Sequence, residues 1–328
     1  MTEDIPVIDV TALVDPDAEP AAFDDTVAEI GRACRQVGLF YVTGHGVSRS
    51  DQAALLEASR QFFALPTDVK ERVGMASSTQ FRGYVPVLSE VTGGAPDWHE
   101  CVDLQPRWSP ERPGRVAVVG ERHPLDDPGQ WPDGLPGFPE VMMRAWDQRA
   151  ALASRIADAL GRDLGQPAGF FRQFEGSELC SLRLLHYPPA EGRDGTHAVG
   201  FGEHVDYGFL AVLQQDGVDG LEARTADGRW LLVPHRPDAL VVNIGLMMQR
   251  WTNDHYLATW HRVRLAGTRS RHSMAFFSEP AYDTVVAPLP TCCVDRPAQY
   301  EPCVFGDVVT EWFSTAYGER GGAGSNAI

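Results

Sequence analysis

His204-Val-Asp206 sets an imidazole and a carboxylate two positions apart. At the end of a β-strand, that spacing places both on one face. A third candidate, His261, lies in Thr259-Trp-His-Arg-Val-Arg-Leu265, where His261, Val263 and Leu265 alternate with Arg262 and Arg264. The alternation turns His261 inward and the arginines outward. Two imidazoles and one carboxylate on one side of a metal leave three coordination positions open. Such a facial set suits iron(II) that must take a chelating small molecule and then O2. A lone His-x-Asp is a weak signal, and an inward histidine on a strand is more often a satisfied core residue, so spacing alone leaves both readings open. A zinc hydrolase would need a carboxylate base beside the metal. The sequence neighbour, Glu203, alternates to the face opposite His204.

A second constellation follows in Arg271-His-Ser-Met-Ala-Phe-Phe277, where Arg271, Ser273, Ala275 and Phe277 share one face. A guanidinium turned into a core is costly unless an anion meets it. With a hydroxyl beside it, it makes a fork for a carboxylate. Tyr187 ends the run Ser181–Tyr187 on the face shared by Arg183 and Leu185, and its phenol can add a hydrogen bond. An internal ion pair for Arg271 is the other reading. Its closeness in sequence to His261 favours an anionic co-substrate.

These residues need a scaffold of strands. From about Leu179 to Pro280 the chain reads as short strands, Ser181–Tyr187, Phe209–Gln214, Gly220–Thr225, Trp230–Val233, Ala239–Ile244, Thr259–Leu265 and His272–Phe277, separated by turn signals such as Ala226-Asp-Gly228. Closely spaced strands point to an antiparallel sandwich or barrel. Before them, Ile5–Asp9 is a short apolar run and Leu39–Thr43 a buried-type strand. Helices are expected from Pro20 to Val37, from an N-cap near Ser50 to Pro66, and from Pro139 to Gly161, each carrying an apolar stripe. Residues 74–135 show little regular pattern and read as either a substrate loop or plain surface. The glycine-rich tail after Glu319 is expected to be disordered.

Composition narrows the partners. The 328-residue chain carries a net charge of -17, which disfavours nucleic acid and anionic lipid. No run approaches the ~20 apolar residues of a membrane span. Met1-Thr-Glu-Asp lacks a secretory pattern, and the six cysteines include no Cys-x-x-Cys pair, so a reducing cytoplasm is expected.

Taken in order, Ile5-Pro-Val-Ile-Asp9, Gly38-Leu-Phe-Tyr-Val-Thr-Gly-His-Gly-Val47, Phe62-Phe-Ala-Leu-Pro66, Arg82-Gly-Tyr84, Leu184-Leu-His-Tyr-Pro-Pro189, His204-Val-Asp-Tyr-Gly208, Asn243-Ile-Gly245, Leu257–Val263 and Arg271–Phe277 resemble the isopenicillin N synthase-like iron(II)- and 2-oxoglutarate-dependent oxygenases over nearly the whole chain. The resemblance implies a mixed α/β fold with a mainly β core, a double-stranded β-helix (jelly roll) flanked by helices. It places a leading region at residues 1–115 and a catalytic core at 116–328 with a C-terminal helix and tail. It implies iron(II) on His204, Asp206 and His261, and the distal carboxylate of 2-oxoglutarate on Arg271 and Ser273 with Tyr187. Where the family often has an acid after the glycine, this chain has Leu246, which implies a change in the strand-end turn or pocket lining.

The implied reaction uses O2, with ascorbate as a reductant. It yields succinate and CO2 and oxidises a C–H bond of a small molecule, by hydroxylation or by desaturation, cyclisation or ethylene formation. A 2-oxoglutarate-independent cyclase and a non-catalytic binding protein on the same scaffold are the rivals. Arg82, Tyr84, Trp98, His99, Glu100 and Arg183 are the candidate grips for an amino-acid-like or specialised-metabolite substrate of the antibiotic type. A monomer is expected.

Overall fold

A computed structural model describes residues 4–75, 82–105, 131–189, 198–265 and 268–317. In chain order the strands are β1 (Val7–Asp9), β2 (Leu39–Thr43), β3 (Gly83–Val85), β4 (Val91–Thr92), β5 (Ala95–Pro96), β6 (Glu100–Leu104), β7 (Glu175–Tyr187), β8 (Ala198–His204), β9 (Leu210–Gln215), β10 (Leu221–Arg224), β11 (Trp230–Leu232), β12 (Leu240–Ile244), β13 (His261–Leu265), β14 (Arg271–Pro280), β15 (Val285–Val286) and β16 (Cys303–Val304). The helices are α1 (Thr11–Val14), α2 (Pro20–Gln36), α3 (Arg49–Phe63), α4 (Thr67–Glu71), α5 (Phe138–Asp163), α6 (Leu246–Trp251) and α7 (Phe305–Tyr317).

Eight strands form a major sheet in the order β1-β2-β12-β9-β14-β7-β6-β3, and four form a minor sheet in the order β11-β10-β13-β8. Only β1 and β2 pair in parallel within the major sheet. This is a jelly roll with helices on its outer side. Alternation along the strands divides the core in two. Val102, Leu184, Met274 and Phe276 face outward and pack with Met142, Trp146 and Ile156 of α5 and Leu55 and Phe62 of α3. Cys101, Leu185, Tyr187, Val241, Val263 and Leu265 face inward and fill the space between the sheets. Burying each large apolar side chain contributes roughly 1.5–3 kcal/mol. At the end of α2, Gly38 turns the chain with φ +75°, and a Cβ there would meet the Leu257 carbonyl oxygen at 2.0 Å.

Several expected boundaries move. Helix α3 is capped by Ser48, whose Oγ accepts from the Asp51 N–H at 3.1 Å, rather than by Ser50. Within the stretch 74–135, residues 82–105 are less irregular than their composition suggests. Strands β3 and β6 extend the major sheet, and β4 and β5 form a hairpin. All five residues of β6 are buried, so no polar alternation announces it. Residues 106–130 and the glycine-rich tail lie outside the described residues.

On the outer face of β14, His272 stacks against His186 with ring centroids 4.7 Å apart. Burial, the His186 ring and Arg60 pull its pKa from 6.5 down to about 3. The unfolded chain therefore takes up this proton first. The contribution to stability is present above pH ~6.5 and is lost as pH falls towards ~3. His272→Asn is expected to flatten the acid side of a urea-unfolding profile, removing a slope of at most about 1.4 kcal/mol per pH unit below pH ~6.5. An unchanged slope would assign the acid sensitivity to other groups.

Candidate metal centre

Antiparallel pairing of β13 with β8 sets His261 directly opposite His204. Their ring centroids lie 4.2 Å apart. Asp206 does not reach them by strand alternation, because β8 ends at His204 and Asp206 sits in the following turn. That turn is anchored by the Leu246 N–H, which donates to the Asp206 carbonyl at 2.7 Å. Asp206 Oδ1 ends 3.8 Å from His204 Nε2 and 3.6 Å from His261 Nε2.

The hydrogen bonds around the trio decide which atoms are free. His204 Nδ1 donates to the Gly202 carbonyl at 2.8 Å, and His261 Nδ1 donates to the Thr259 carbonyl at 2.9 Å. A carbonyl only accepts, so each Nδ1 carries the proton and each Nε2 lone pair faces the other two side chains. Asn243 Nδ2 donates to Asp206 Oδ2 at 2.6 Å, which leaves Oδ1 on the histidine side. Burial and the facing His261 lower the pKa of His204 and keep the ring neutral. The three donor atoms lie within 4.8 Å of one another. Neutral imidazoles with Nε2 exposed to one point, beside an orientated carboxylate, fit a divalent transition metal. Glu203 pairs with Arg262 at 2.8 Å on the outer face, away from the trio.

Further along the interior, the Arg271 side chain is 1% exposed. It donates to the Val218 carbonyl, Ser273 Oγ and Gln215 Oε1, each at 3.2 Å. Its guanidinium lies over the Tyr187 ring at 4.9 Å, and Tyr187 is hydrogen-bonded to Ser273. All of these partners are neutral, and among the described residues no carboxylate forms an ion pair with Arg271. A buried cation so surrounded has the chemistry to take up an anion.

Residues 5–134 match the family described as "non-haem dioxygenase in morphine synthesis N-terminal", and residues 179–280 match the "2OG-Fe(II) oxygenase superfamily". A homoarginine-6-hydroxylase of Arabidopsis thaliana is 34% identical over 297 residues, covering 88% of each chain. This chain belongs to the iron(II)- and 2-oxoglutarate-dependent oxygenases of the isopenicillin N synthase-like group. A 2-oxoglutarate-dependent dioxygenase of Monascus ruber is also 34% identical, over 307 residues and 87% of each chain. Among solved structures, a full-length Neurospora crassa protein in complex with alpha-KG superposes with a TM-score of 0.82 at 26% identity, covering 97% of this chain and 98% of that one. The enzyme is therefore a non-haem dioxygenase that uses iron(II) and 2-oxoglutarate. None of its described helices is long and apolar enough to cross a membrane.

The oxygenase does not bring all the candidate substrate residues to its interior. Tyr84 and Glu100 lie behind the major sheet. Glu100 sits opposite His186 across the sheet, accepts from Lys70 Nζ and the Tyr84 hydroxyl at 2.6 Å each, and contacts His186 at 2.7 Å. Their strand parity turns them towards α3 and α4, so they are corrected to a buried structural network. Arg82 is buried and donates to the Leu179 carbonyl at 3.0 Å. Trp98 packs at the edge of the interior, with Nε1 donating to the Pro188 carbonyl at 3.1 Å.

Arg183 and His99 do face inward. Arg183 grips Asp103 at 2.7 Å and Glu90 at 3.2 Å, and the other Glu90 oxygen contacts His99 Nε2 at 2.9 Å. Asp103 and Glu90 escaped the sequence reading, although Asp103 stands directly opposite Arg183 once β6 is aligned with β7. Glu90, His99 and Cys101 also cluster closely enough to hold a metal. Arg183 already occupies Glu90 as its cation, so this trio reads as an ion-pair network.

Proposed function

We propose that His204, Asp206 and His261 hold the iron(II), and that Arg271 and Ser273, with Tyr187, take the distal carboxylate of 2-oxoglutarate. The enzyme then hydroxylates a C–H bond of a small amino-acid-like molecule. The observation that carries the reading is the convergence of two Nε2 atoms and Asp206 Oδ1, with every competing ring nitrogen committed to a carbonyl. Bound there, iron(II) supplies O2 activation for oxidation of the C–H bond, coupled to conversion of 2-oxoglutarate to succinate. The protein's share is orientation. Asn243 fixes the carboxylate, two carbonyls fix the imidazoles, and the Arg271 fork sets how deep the co-substrate enters. The apolar interior around Val241, Val263 and Leu185 keeps bulk water from the reacting centre.

The substrate class is supported by the homoarginine-6-hydroxylases among the relatives. The test is succinate formation by anaerobically purified protein given iron(II), 2-oxoglutarate, ascorbate and O2, screened for acceleration by free amino acids and guanidino acids. Acceleration with matching product hydroxylation supports the reading. Succinate that is stimulated only by uncharged metabolites would overturn the substrate class. No succinate with O2 still consumed would turn the site into that of a cyclase.

Asn243→Ala tests the carboxylate's anchor. It is expected to weaken divalent-metal binding about 10–100-fold, as read by manganese(II) titration, because the group that orientates Asp206 is lost. Unchanged affinity would show that the turn alone positions Asp206.

A further inference from the structure

Among the described residues the minor sheet ends at β8, and an edge strand leaves a row of backbone N–H and C=O groups without strand partners. Three consecutive residues of the N-terminal segment take that row. Asp97 Oδ1 accepts from the Gly202 N–H at 2.7 Å. The Trp98 N–H donates to the Val199 carbonyl at 3.0 Å. His99 Nδ1 donates to the Gly200 carbonyl at 2.7 Å. Asp97 is 0% exposed and His99 2%. Gly202 has no room for a side chain, since a Cβ would meet the Thr92 carbonyl oxygen at 2.3 Å.

Gly202 is also the residue whose carbonyl receives His204 Nδ1. Its peptide neighbourhood is thus held by Asp97 on one side and reads out on His204 on the other. A second path runs through rings. Phe201 lies 4.8 Å from His99 and stacks on His204 at 4.2 Å. The buried Gly202 N–H needs an acceptor that an apolar cover could not supply, and Asp97, which also hydrogen-bonds Thr92, provides it from a side chain rather than from a neighbouring strand. What the carboxylate adds is position. It fixes where the strand ends, and so where His204 Nε2 points.

We propose that Asp97 and His99 are positioning residues for the metal centre, clasping β8 so that His204 is held in its ligand geometry. The clasp continues through Glu90 to Arg183 and Asp103. It therefore joins the interior charges to the metal through one rigid strand. The inference rests on His204 being a metal ligand, as in the proposed function.

The experiment is manganese(II) titration of the metal-free full chain, followed by electron paramagnetic resonance, for the wild type, Asp97→Ala, Asp97→Asn, His99→Phe, His99→Asn and His261→Ala. Circular dichroism and 2-oxoglutarate KM are measured on the same samples. Asp97→Ala and His99→Phe are expected to weaken manganese(II) about 10–100-fold. Asparagine keeps an acceptor at position 97, so Asp97→Asn is expected to recover most of the affinity, while His99→Asn keeps the donor but loses the ring against Phe201 and is expected to recover part of it. KM for 2-oxoglutarate should move much less than metal affinity. Should Asp97→Ala not fold, His99→Phe, which preserves the ring packing, carries the test. Wild-type affinity in folded Asp97→Ala and His99→Phe, with binding lost in His261→Ala, would overturn the clasp alone. Equal defects in the alanine and asparagine variants would overturn it too, because hydrogen-bond geometry would not be the cause. Wild-type affinity in His261→Ala would instead sink the metal assignment beneath it.

Discussion

His261→Ala is expected to lose manganese(II) binding and to reduce succinate formation by more than about 100-fold, since even groups that only orientate a ligand are worth about 10–100-fold. The expectation follows from how few donors meet at the centre. His204 and His261 each offer one nitrogen, and Asp206 offers Oδ1 while Asn243 engages Oδ2. Removing one imidazole leaves two donors. The remaining His204 would also lose the ring packed 4.2 Å away that defines the cleft. The neighbouring Arg262→Ala is the control. Arg262 faces outward onto Glu203 and Glu222 and lies over Trp230 at 3.9 Å. These contacts belong to the outer surface of the minor sheet, where an ion pair contributes ~1 kcal/mol or less. Succinate at the wild-type rate in His261→Ala, or a collapse in Arg262→Ala, would move the metal away from the inner face of β13.

The contrast between positions 261 and 262 also marks how far the sequence could be read. Where one face of a strand is buried and the other wet, as in β13, alternation assigns each side chain to its face. Alternation also groups Arg271, Ser273 and Ala275 of β14, and Tyr187 with Arg183 of β7, but on these covered strands the inward direction comes from Arg271's need for an anion and not from a wet face. It fails where both faces are covered. β6 is buried throughout, so nothing local distinguishes Glu100, which faces the helices, from Asp103, which faces the interior. Only the register with β7, Glu100 against His186 and Asp103 against Arg183, separates them. That pairing joins positions far apart in the chain, and a pattern of polar and apolar residues does not encode it. Tyr84 is misread for the same reason.

Asp206 shows a different limit. Its spacing from His204 suggests one face of one strand, and the two groups do meet. The contact is made by a turn, fixed by the Leu246 N–H and the Asn243 amide. The three candidate donors could be picked out from the sequence because a metal would need these side-chain types wherever the backbone runs. The route was not, because two glycines interrupt the apolar pattern of β8, and its edge is finished by Asp97, Trp98 and His99 from a segment with no strand pattern of its own.

Arg271→Met is expected to raise KM for 2-oxoglutarate by a factor of roughly 30 to several thousand, the range for removing one partner of a buried charge pair worth about 2–5 kcal/mol. Manganese(II) affinity should stay within a few-fold of the wild type, because Arg271 engages Val218, Gln215, Ser273 and Tyr187 rather than the metal trio. A second signature separates lost recognition from damage to the fold. Without co-substrate, Arg271 is a buried cation held only by neutral acceptors, and replacing a buried charge by an apolar side chain of similar length is often neutral or stabilising. The ligand-free variant is therefore expected to melt at or above the wild-type temperature. The wild type, by contrast, should gain stability with added 2-oxoglutarate as its site fills, and Arg271→Met should show no such gain at the same concentration. A variant that melts well below the wild type would make Arg271 chiefly structural. A stable variant with wild-type KM would mean that the carboxylate of 2-oxoglutarate is bound elsewhere in the barrel.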